Sequence, residues 1–260
     1  MNILDAIVEH KRIEVLKRKQ KRPLSSMGSL PYYRRKTNHI DHGRIGNTPG
    51  IIAEFKRKSP SGGPIQMNAD PVEVARGYDA AGAVAMSILT DRSFFGGSFR
   101  DLSGVRSAYP ALPLLRKDFI IDPYQIHESS AYGADLVLLI AAILEKQEVE
   151  DLTGEARSLG LQVLLEVHEE KELEKFHEGI DYIGVNNRDL KTFHVDTGRS
   201  LELIGLMPPG VVGVSESGIS QMDEILKLSE AGFRLFLIGE SFMKQEDPGQ
   251  ACRKLIEQLN

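Results

Sequence analysis

The sequence predicts an α/β protein of the (β/α)8-barrel class with an extra N-terminal helical segment. Three observations carry that expectation. From Ile51 onward, short apolar runs alternate eight times with amphipathic stretches. The runs are rich in Val, Ile and Leu throughout, the pattern of parallel strands covered on their outer face. No GxGxxG turn follows the first run and no linker divides the chain, which disfavours an open doubly wound sheet.

The elements follow in order. Ile3 to about Gln20 reads as an amphipathic helix, with Ile3, Leu4, Ile7, Ile13 and Leu16 at near-helical spacing. The basic stretch "KRPLSSMGSLPYYRRKTNHIDHGRIGNTPG" reads as a connecting excursion with some local helix. Residues 1–48 are thus expected to cover a barrel formed by 49–260, in one domain overall. Unit one is "IIAEF" with "PVEVARGYDAAG", and unit two "AVAMSIL" with "SFRDLSGVRSAY". Unit three is "LPLLRKDF" with "DPYQIHESSAYG", where Asp122 reads as the N-cap and Pro123 as the first helical residue. Unit four is "ADLVLLIAA" with "EKQEVEDLTGEARSLG", and unit five "LQVLLEV" with "EEKELEKFHEG". Unit six is "DYIGVNN" with "DTGRSLELIGL". Unit seven is "VVGVSES" with "SQMDEILKLSEAG", and unit eight "FRLFLIGES" with "DPGQACRKLIEQL".

Composition narrows the function classes. The 260 residues are 41% hydrophobic and 27% charged, ordinary for a globular chain with a sizeable core. A net charge of -5 gives no electrostatic case for nucleic acid. Cys252 is the only cysteine, which excludes a disulfide framework and a Cys-rich metal site. The N-terminus has no signal-peptide core, and no apolar run is long enough to span a membrane. The expectation is a cytoplasmic protein that uses neither membrane nor nucleic acid.

A barrel places its chemistry where the strands end at their carboxyl side. Polar residues interrupt the apolar runs there: Glu54 and Lys56; Arg116, Lys117 and Asp118; Glu166; Asn186, Asn187 and Arg188; Ser215, Glu216 and Ser217. Residues two apart in a strand share a side, so Glu54 and Lys56 project together. Any one of these could be a solvated rim residue. Two lysines and three glutamates aimed at one mouth would shift one another's pKa values and could divide acid and base roles. "SESGIS" and "LIGES" in the last two units are Gly-bearing turns before helices, whose N–H groups can face a phosphate. Glu240 fits such a site if only its N–H faces the anion and its carboxylate points away. In "RSFFGGSF", Phe94 and Phe95 read equally as loop anchors or as an apolar wall for an aromatic substrate. His39 and His42 have ligand-like spacing but no carboxylate or Cys cluster nearby, and read as solvated. Cys252 reads as inert packing.

The segments "IIAEFKRKSPSGG", "LLRKDFIID", "LLEVH", "IGVNNRDLKTF", "VSESGIS" and "LIGESFM" occur in that order. Together they closely resemble the signature of the indole-3-glycerol-phosphate synthase family, from Ile51 to the C-terminus. "ILDAIVEHKRIEVLKRK" resembles that family's extra helix before the barrel. The resemblance implies a lyase that closes an indole ring on 1-(2-carboxyphenylamino)-1-deoxyribulose 5-phosphate, losing CO2 and water, with no cofactor and no metal. It implies Lys117 as general acid to the ribulose carbonyl and Glu166 as base in the dehydration. Lys56 would hold the substrate carboxylate, and Glu54 would hold Lys56 and the hydroxyls. Asn186, Glu216 and Ser217 would orient the substrate, with Arg188 bordering the anthranilate carboxylate. Ser59, Gly218, Gly239 and Glu240 would form the phosphate turns, and Phe95 and Phe119 would border the aromatic ring. Two rivals stay in view. A phosphoribosylanthranilate isomerase would need a Cys/Asp pair at strand ends, yet Cys252 lies in the last helix. A non-catalytic phosphate-binding barrel would have no use for Lys117 and Glu166 together.

Overall fold

The computed structural model describes residues 3–41, 48–189 and 192–259. Eight parallel strands close a barrel: β1 (Gly50–Phe55), β2 (Ala85–Leu89), β3 (Leu114–Lys117), β4 (Leu136–Ile140), β5 (Gln162–Val167), β6 (Tyr182–Asn186), β7 (Val212–Glu216) and β8 (Leu235–Ile238). Each strand bonds to its sequence neighbours, and β8 closes onto β1 with Gly50 opposite Leu235. Among the described residues the α-helices are α1 (Ile3–Lys21), α2 (Pro71–Ala81), α3 (Phe99–Ala108), α4 (Pro123–Ala131), α5 (Lys146–Ser158), α6 (Gly198–Ile204), α7 (Met222–Glu230), α8 (Glu240–Met243) and α9 (Pro248–Leu259). The expected barrel with its preceding helix is therefore present. No helix among the described residues is long and apolar enough to cross a membrane.

The strands are apolar on both faces because each face has its own core. Ile51, Ala53 and Phe55 point outward into the layer beneath the helices. Ile52 points inward, with Ala85, Leu115, Leu138, Leu164, Val214 and Leu235, and fills the barrel. This two-residue alternation fixes which side chains reach the mouth. Helix starts follow the expected chemistry at α4, where Asp122 accepts from Tyr124 N at 2.9 Å and Pro123 takes the first position.

Three expectations are revised. The stretch after β5 forms only a 3₁₀ turn, Glu170–Lys175, not an α-helix. Its two apolar residues, Leu173 and Phe176, are three apart, the repeat of the tighter helix, and both pack on the core. Glu172 is also drawn back to accept from His168 N at 2.6 Å. In unit eight, α8 forms directly after Gly239, before the expected final helix. In α1 the buried face is Ile7, Lys11 and Val15, whereas Ile13 and Leu16 are 45% and 60% exposed. A lysine thus occupies the middle of the buried stripe.

Beyond α1, a 3₁₀ turn (Leu24–Ser29) leads into a segment that runs along the barrel's outer side. Tyr33 Oη lies 2.6 Å from His127 Nδ1 on α4. Arg35 pairs with Asp135 at 2.5 Å, and Asn38 N donates to the same carboxylate at 2.6 Å. Arg106 pairs with its other oxygen. Asp135 precedes β4, so these contacts sit at the rim opposite the strand carboxyl ends. His39 is exposed beside Thr37, and His42 lies outside the described residues.

Candidate active site

At the carboxyl ends of the strands is a cavity of about 430 Å³, lined by all the catalytic, substrate and phosphate residues that the resemblance implies, whereas Arg116, Asn187 and Ser215 are buried away from it and Phe94 does not line it. The strand pleat puts the lining residues there. Ile52, Leu115, Leu164 and Val214 point inward, so Glu54, Lys117, Glu166 and Glu216, each two residues on, do the same. Asn186 follows inward Tyr182 and Gly184 on β6. Glu54 and Lys56 meet, with Lys56 Nζ 3.0 Å from Glu54 Oε1.

Lys117 is the centre of the polar floor. Its Nζ is 2.6 Å from Glu166 Oε2 and 2.8 Å from Glu216 Oε2. Glu166 Oε1 accepts from Asn186 Nδ2 at 3.2 Å. Burial alone would discharge the Lys117 ammonium, but Glu166, Glu216 and Glu54 outweigh it and raise its pKa. Burial likewise favours the neutral acid at Glu166, yet Lys117 and His168 hold that carboxyl down, to about 2. Glu216 goes the other way: burial pushes it up, Lys117 offsets only part of this, and Glu166 adds repulsion, leaving it at about 7. The floor therefore presents a fixed cation, a fixed carboxylate and a second carboxyl that titrates near neutrality. Such divergence between adjacent acids is how one site separates its roles.

The raised Glu216 pKa has a measurable consequence. Its folded value of about 7 exceeds the ordinary 4.5, so its contribution to stability is full below about 4.5 and lost as pH rises through about 7. Glu216→Gln cannot ionise. Its melting temperature is expected to gain on wild type between pH 5 and pH 8, by roughly 2–4 °C for each kcal/mol of linkage. Thermal scans at the two pH values check this; a difference that stays constant with pH places the ionisation elsewhere.

One end of the cavity is built from backbone turns. Ser217 and Gly218 follow β7 with φ of 66° and 75°. A Cβ on Gly218 would overlap Val195, so the turn there requires glycine. Gly239 follows β8 and opens α8. Ser59, in the short hairpin Lys58–Ser59 with Gly63–Pro64, accepts from Gly62 N at 3.0 Å and faces the same end. The Glu240 carboxylate does not point away. Arg188 reaches one oxygen at 3.1 Å, and Lys244, one helical turn on, reaches the other at 2.7 Å. Arg188 is therefore beside the turn after β8, where Lys56 also acts on the Glu240 carboxylate.

The other end is apolar. Phe95 and Phe119, on the loops after β2 and β3, have ring centroids 6.1 Å apart at 40°. Ile3, Leu4 and Ile7 of α1 complete this wall. These α1 residues, Lys244 and His168 escaped the sequence reading. His168 Nε2 stands 3.5 Å from Glu166 Oε1. Gly184 was also missed: a Cβ there would overlap Glu216 Oε1, so the glycine makes room for the carboxylate. Its signal was a lone Gly inside an apolar strand, a mark of close approach.

The chain matches the sequence profile of the family described as indole-3-glycerol phosphate synthase over residues 4–255. It is 44% identical to the indole-3-glycerol phosphate synthase of Bacteroides thetaiotaomicron over 260 residues, covering 99% of both chains. It is 42% identical to that of Sulfurimonas denitrificans over 259 residues, covering 97% of this chain and 98% of the relative. Among solved structures it resembles KGPDC from Streptococcus mutans, with a TM-score of 0.63 at 11% identity, over 82% of this chain and 97% of that one. The 3-hexulose-6-phosphate synthase of Salmonella typhimurium gives 0.61 at 13% identity, over 81% and 98%. At these identities the structural likeness concerns the barrel alone.

Proposed function

Because the chain belongs to the indole-3-glycerol phosphate synthase family, we propose a division of labour among its cavity residues. The chain is a carboxy-lyase of tryptophan biosynthesis. It converts 1-(2-carboxyphenylamino)-1-deoxyribulose 5-phosphate to indole-3-glycerol phosphate, CO2 and water. What carries the proposed roles is the position of Lys117 between Glu166 and Glu216 on the cavity floor.

The substrate lies with its ring against Phe95 and Phe119 and its phosphate in the turns at Ser59, Gly218 and Gly239. Lys56, held by Glu54, takes the aromatic carboxylate. As the ring carbon bearing that carboxylate attacks the ribulose carbonyl, the carbonyl oxygen gains charge and Lys117 transfers its proton there. A lysine with a raised pKa keeps its proton until a stronger base, the nascent alkoxide, forms. CO2 then leaves and its bonding electrons restore the aromatic ring. In the dehydration Glu166 accepts a proton from the methylene carbon beside the ring nitrogen, and the hydroxyl departs as water with a proton from Lys56, which leaves the double bond of the indole ring. Asn186, Glu216 and Ser217 hold the polyol in line. Fixed groups inside a walled cavity stabilise these charges better than water does.

Phosphorylated substrates do not cross membranes unaided, which supports the proposed cytoplasmic location; cell fractionation tests it. The proposed grouping of residues 1–48 as a cover draws support from Ile3, Leu4 and Ile7 in the cavity wall. Incubation with the carboxyphenylamino-deoxyribulose phosphate tests the activity through the appearance of indole fluorescence.

The phosphate turns are tested by a pair of variants. A Cβ on Gly239 would stand 2.6 Å from Glu54 Oε1 and 2.7 Å from Glu54 Cβ. Gly239→Val is therefore expected to weaken substrate binding and also lower kcat, since Glu54 must move and release Lys56. Overpacking of this kind costs about 1–3 kcal/mol. Glu240→Ala leaves the turn's backbone intact and is expected to have the smaller effect on inhibition by inorganic phosphate. Equal losses in the two variants would assign the anion to the Glu240 side chain and its partners.

A further inference from the structure

Lys11 is the one residue of α1 whose burial apolar patterning does not account for. Its side chain is fully enclosed. Its Nζ lies 2.8 Å from Asp91 Oδ2, 2.9 Å from Asp118 Oδ1 and 2.8 Å from Glu14 Oε2. Burial would push the ammonium towards neutrality, but Asp118, Asp91 and Glu14 overcome this and hold its pKa above the ordinary value.

Both partner aspartates sit at the base of the cavity's aromatic wall. Asp91 follows β2, and its Oδ1 accepts from Phe94 N at 2.7 Å and Phe95 N at 3.3 Å. Asp118 stands between Lys117 and Phe119. Its Oδ1 also accepts from Phe119 N at 2.9 Å, and its Oδ2 takes Thr90 Oγ1 at 2.6 Å and Arg116 at 2.9 Å. Asp118 has a second cation in Arg116, whereas among the described residues the Lys11 ammonium is the only cation paired with Asp91. A single ammonium from outside the barrel therefore ties together the loop that presents Phe95 and the strand end that presents Lys117 and Phe119.

We infer that Lys11 is a positioning residue for ring closure, setting the aromatic wall and the Lys117 backbone through Asp91 and Asp118. The roles proposed above for Lys117, Phe95 and Phe119 underlie this inference. On this view α1 does more than cover the mouth: its charge is part of the frame that orients the reacting ring. Displacements of about 1 Å in such a frame cost on the order of 10²-fold in rate.

The test compares Lys11→Met with Val15→Ala. Val15 belongs to the same buried stripe but packs in a separate cluster with Met27, Tyr124 and Ala131. Lys11→Met is expected to raise KM and lower kcat, together on the order of 10²-fold in kcat/KM. Inhibition by inorganic phosphate should change far less than kcat/KM, because Gly218 and Gly239 follow β7 and β8 whereas Asp91 and Asp118 follow β2 and β3. Val15→Ala should lower the melting temperature and leave kcat/KM near wild type. If folded Lys11→Met keeps kcat/KM within about two-fold of Val15→Ala, well short of a misplacement effect, the inference is overturned. An equal loss of phosphate affinity in Lys11→Met would overturn it too, since that marks general loosening of the barrel. Should Lys11→Met fail to fold, Asp91→Asn carries the decision: a raised KM with unchanged phosphate inhibition supports the inference, and a wild-type KM refutes it. Lys117→Met tests the underlying assignment separately, because Lys11 could be dispensable while Lys117 is essential.

Discussion

Lys117→Met is expected to reduce turnover by ~10²–10⁴-fold, the usual contribution of a positioned proton donor, while the barrel stays folded. The fold survives for a definite reason. Removing the ammonium leaves Glu166 and Glu216 facing each other in a buried floor, both having been its partners at 2.6 and 2.8 Å. Two adjacent carboxyls in that setting share a proton instead of carrying two charges, which removes most of the repulsion. Methionine fills similar volume. The measurement is steady-state kinetics by indole fluorescence, with circular dichroism to confirm the fold. A variant that kept more than about a tenth of wild-type kcat would lose less than a general acid supplies, and another group would have to protonate the carbonyl oxygen.

Glu166→Gln is expected to produce a comparable fall in kcat, again ~10²–10⁴-fold, with KM little changed. The glutamine keeps its carbonyl oxygen for Lys117, which bonds Glu166 Oε2 at 2.6 Å, and gives up only the longer contact in which Glu166 Oε1 accepts from Asn186 Nδ2 at 3.2 Å. What disappears is a carboxylate held ionised by Lys117 and able to receive a proton. That loss is felt only when the proton moves. A raised KM with kcat intact would make Glu166 a binding residue. A mixed outcome, with slow turnover and an accumulating decarboxylated intermediate, would locate it at the dehydration step.

Much of the site was legible because a barrel converts strand alternation into a shared mouth. "IIAEFK" reads as an apolar run broken by charge, and in three dimensions Ile52, Glu54 and Lys56 climb one inner face. Lys117, Glu166 and Glu216 repeat the pattern on β3, β5 and β7, so rules of period two sufficed. Residues whose partners are remote in sequence were not legible. Lys11 stands four residues after Ile7 and so falls on the buried face, but its residue type reads as polar surface, and it finds Asp91 and Asp118 only once the barrel has closed. Gly184 is explained by a carboxylate on the next strand, not by its own neighbours. Ile13 and Leu16 stay exposed because they fall outside the row of residues four apart, Ile7, Lys11 and Val15, that faces the barrel, so grouping them with Ile7 overread the apolar spacing. The 3₁₀ turn at Glu170–Lys175 failed for the converse reason: strong helix formers were present, but only two apolar side chains anchored them.

The joint between β1 and β8 ties catalysis to the order in which the chain acquires structure. Gly50 to Ala53 bond to Leu235 to Ile238, so the first strand meets the last only after almost the whole barrel sequence exists. Glu54 lies just beyond that pairing and occupies the space that the missing side chain of Gly239 leaves free. A nascent chain that stops before β8 already contains Lys117, Glu166 and Glu216, on β3, β5 and β7, yet it has no β8 to brace Glu54 and lacks the Gly239 turn of the proposed phosphate site. Long-range pairings of this kind form late, because loop closure must precede any gain from the contact. Competence therefore arrives with the final strand, and an incomplete chain released early carries the acid and the base without the means to grip a substrate.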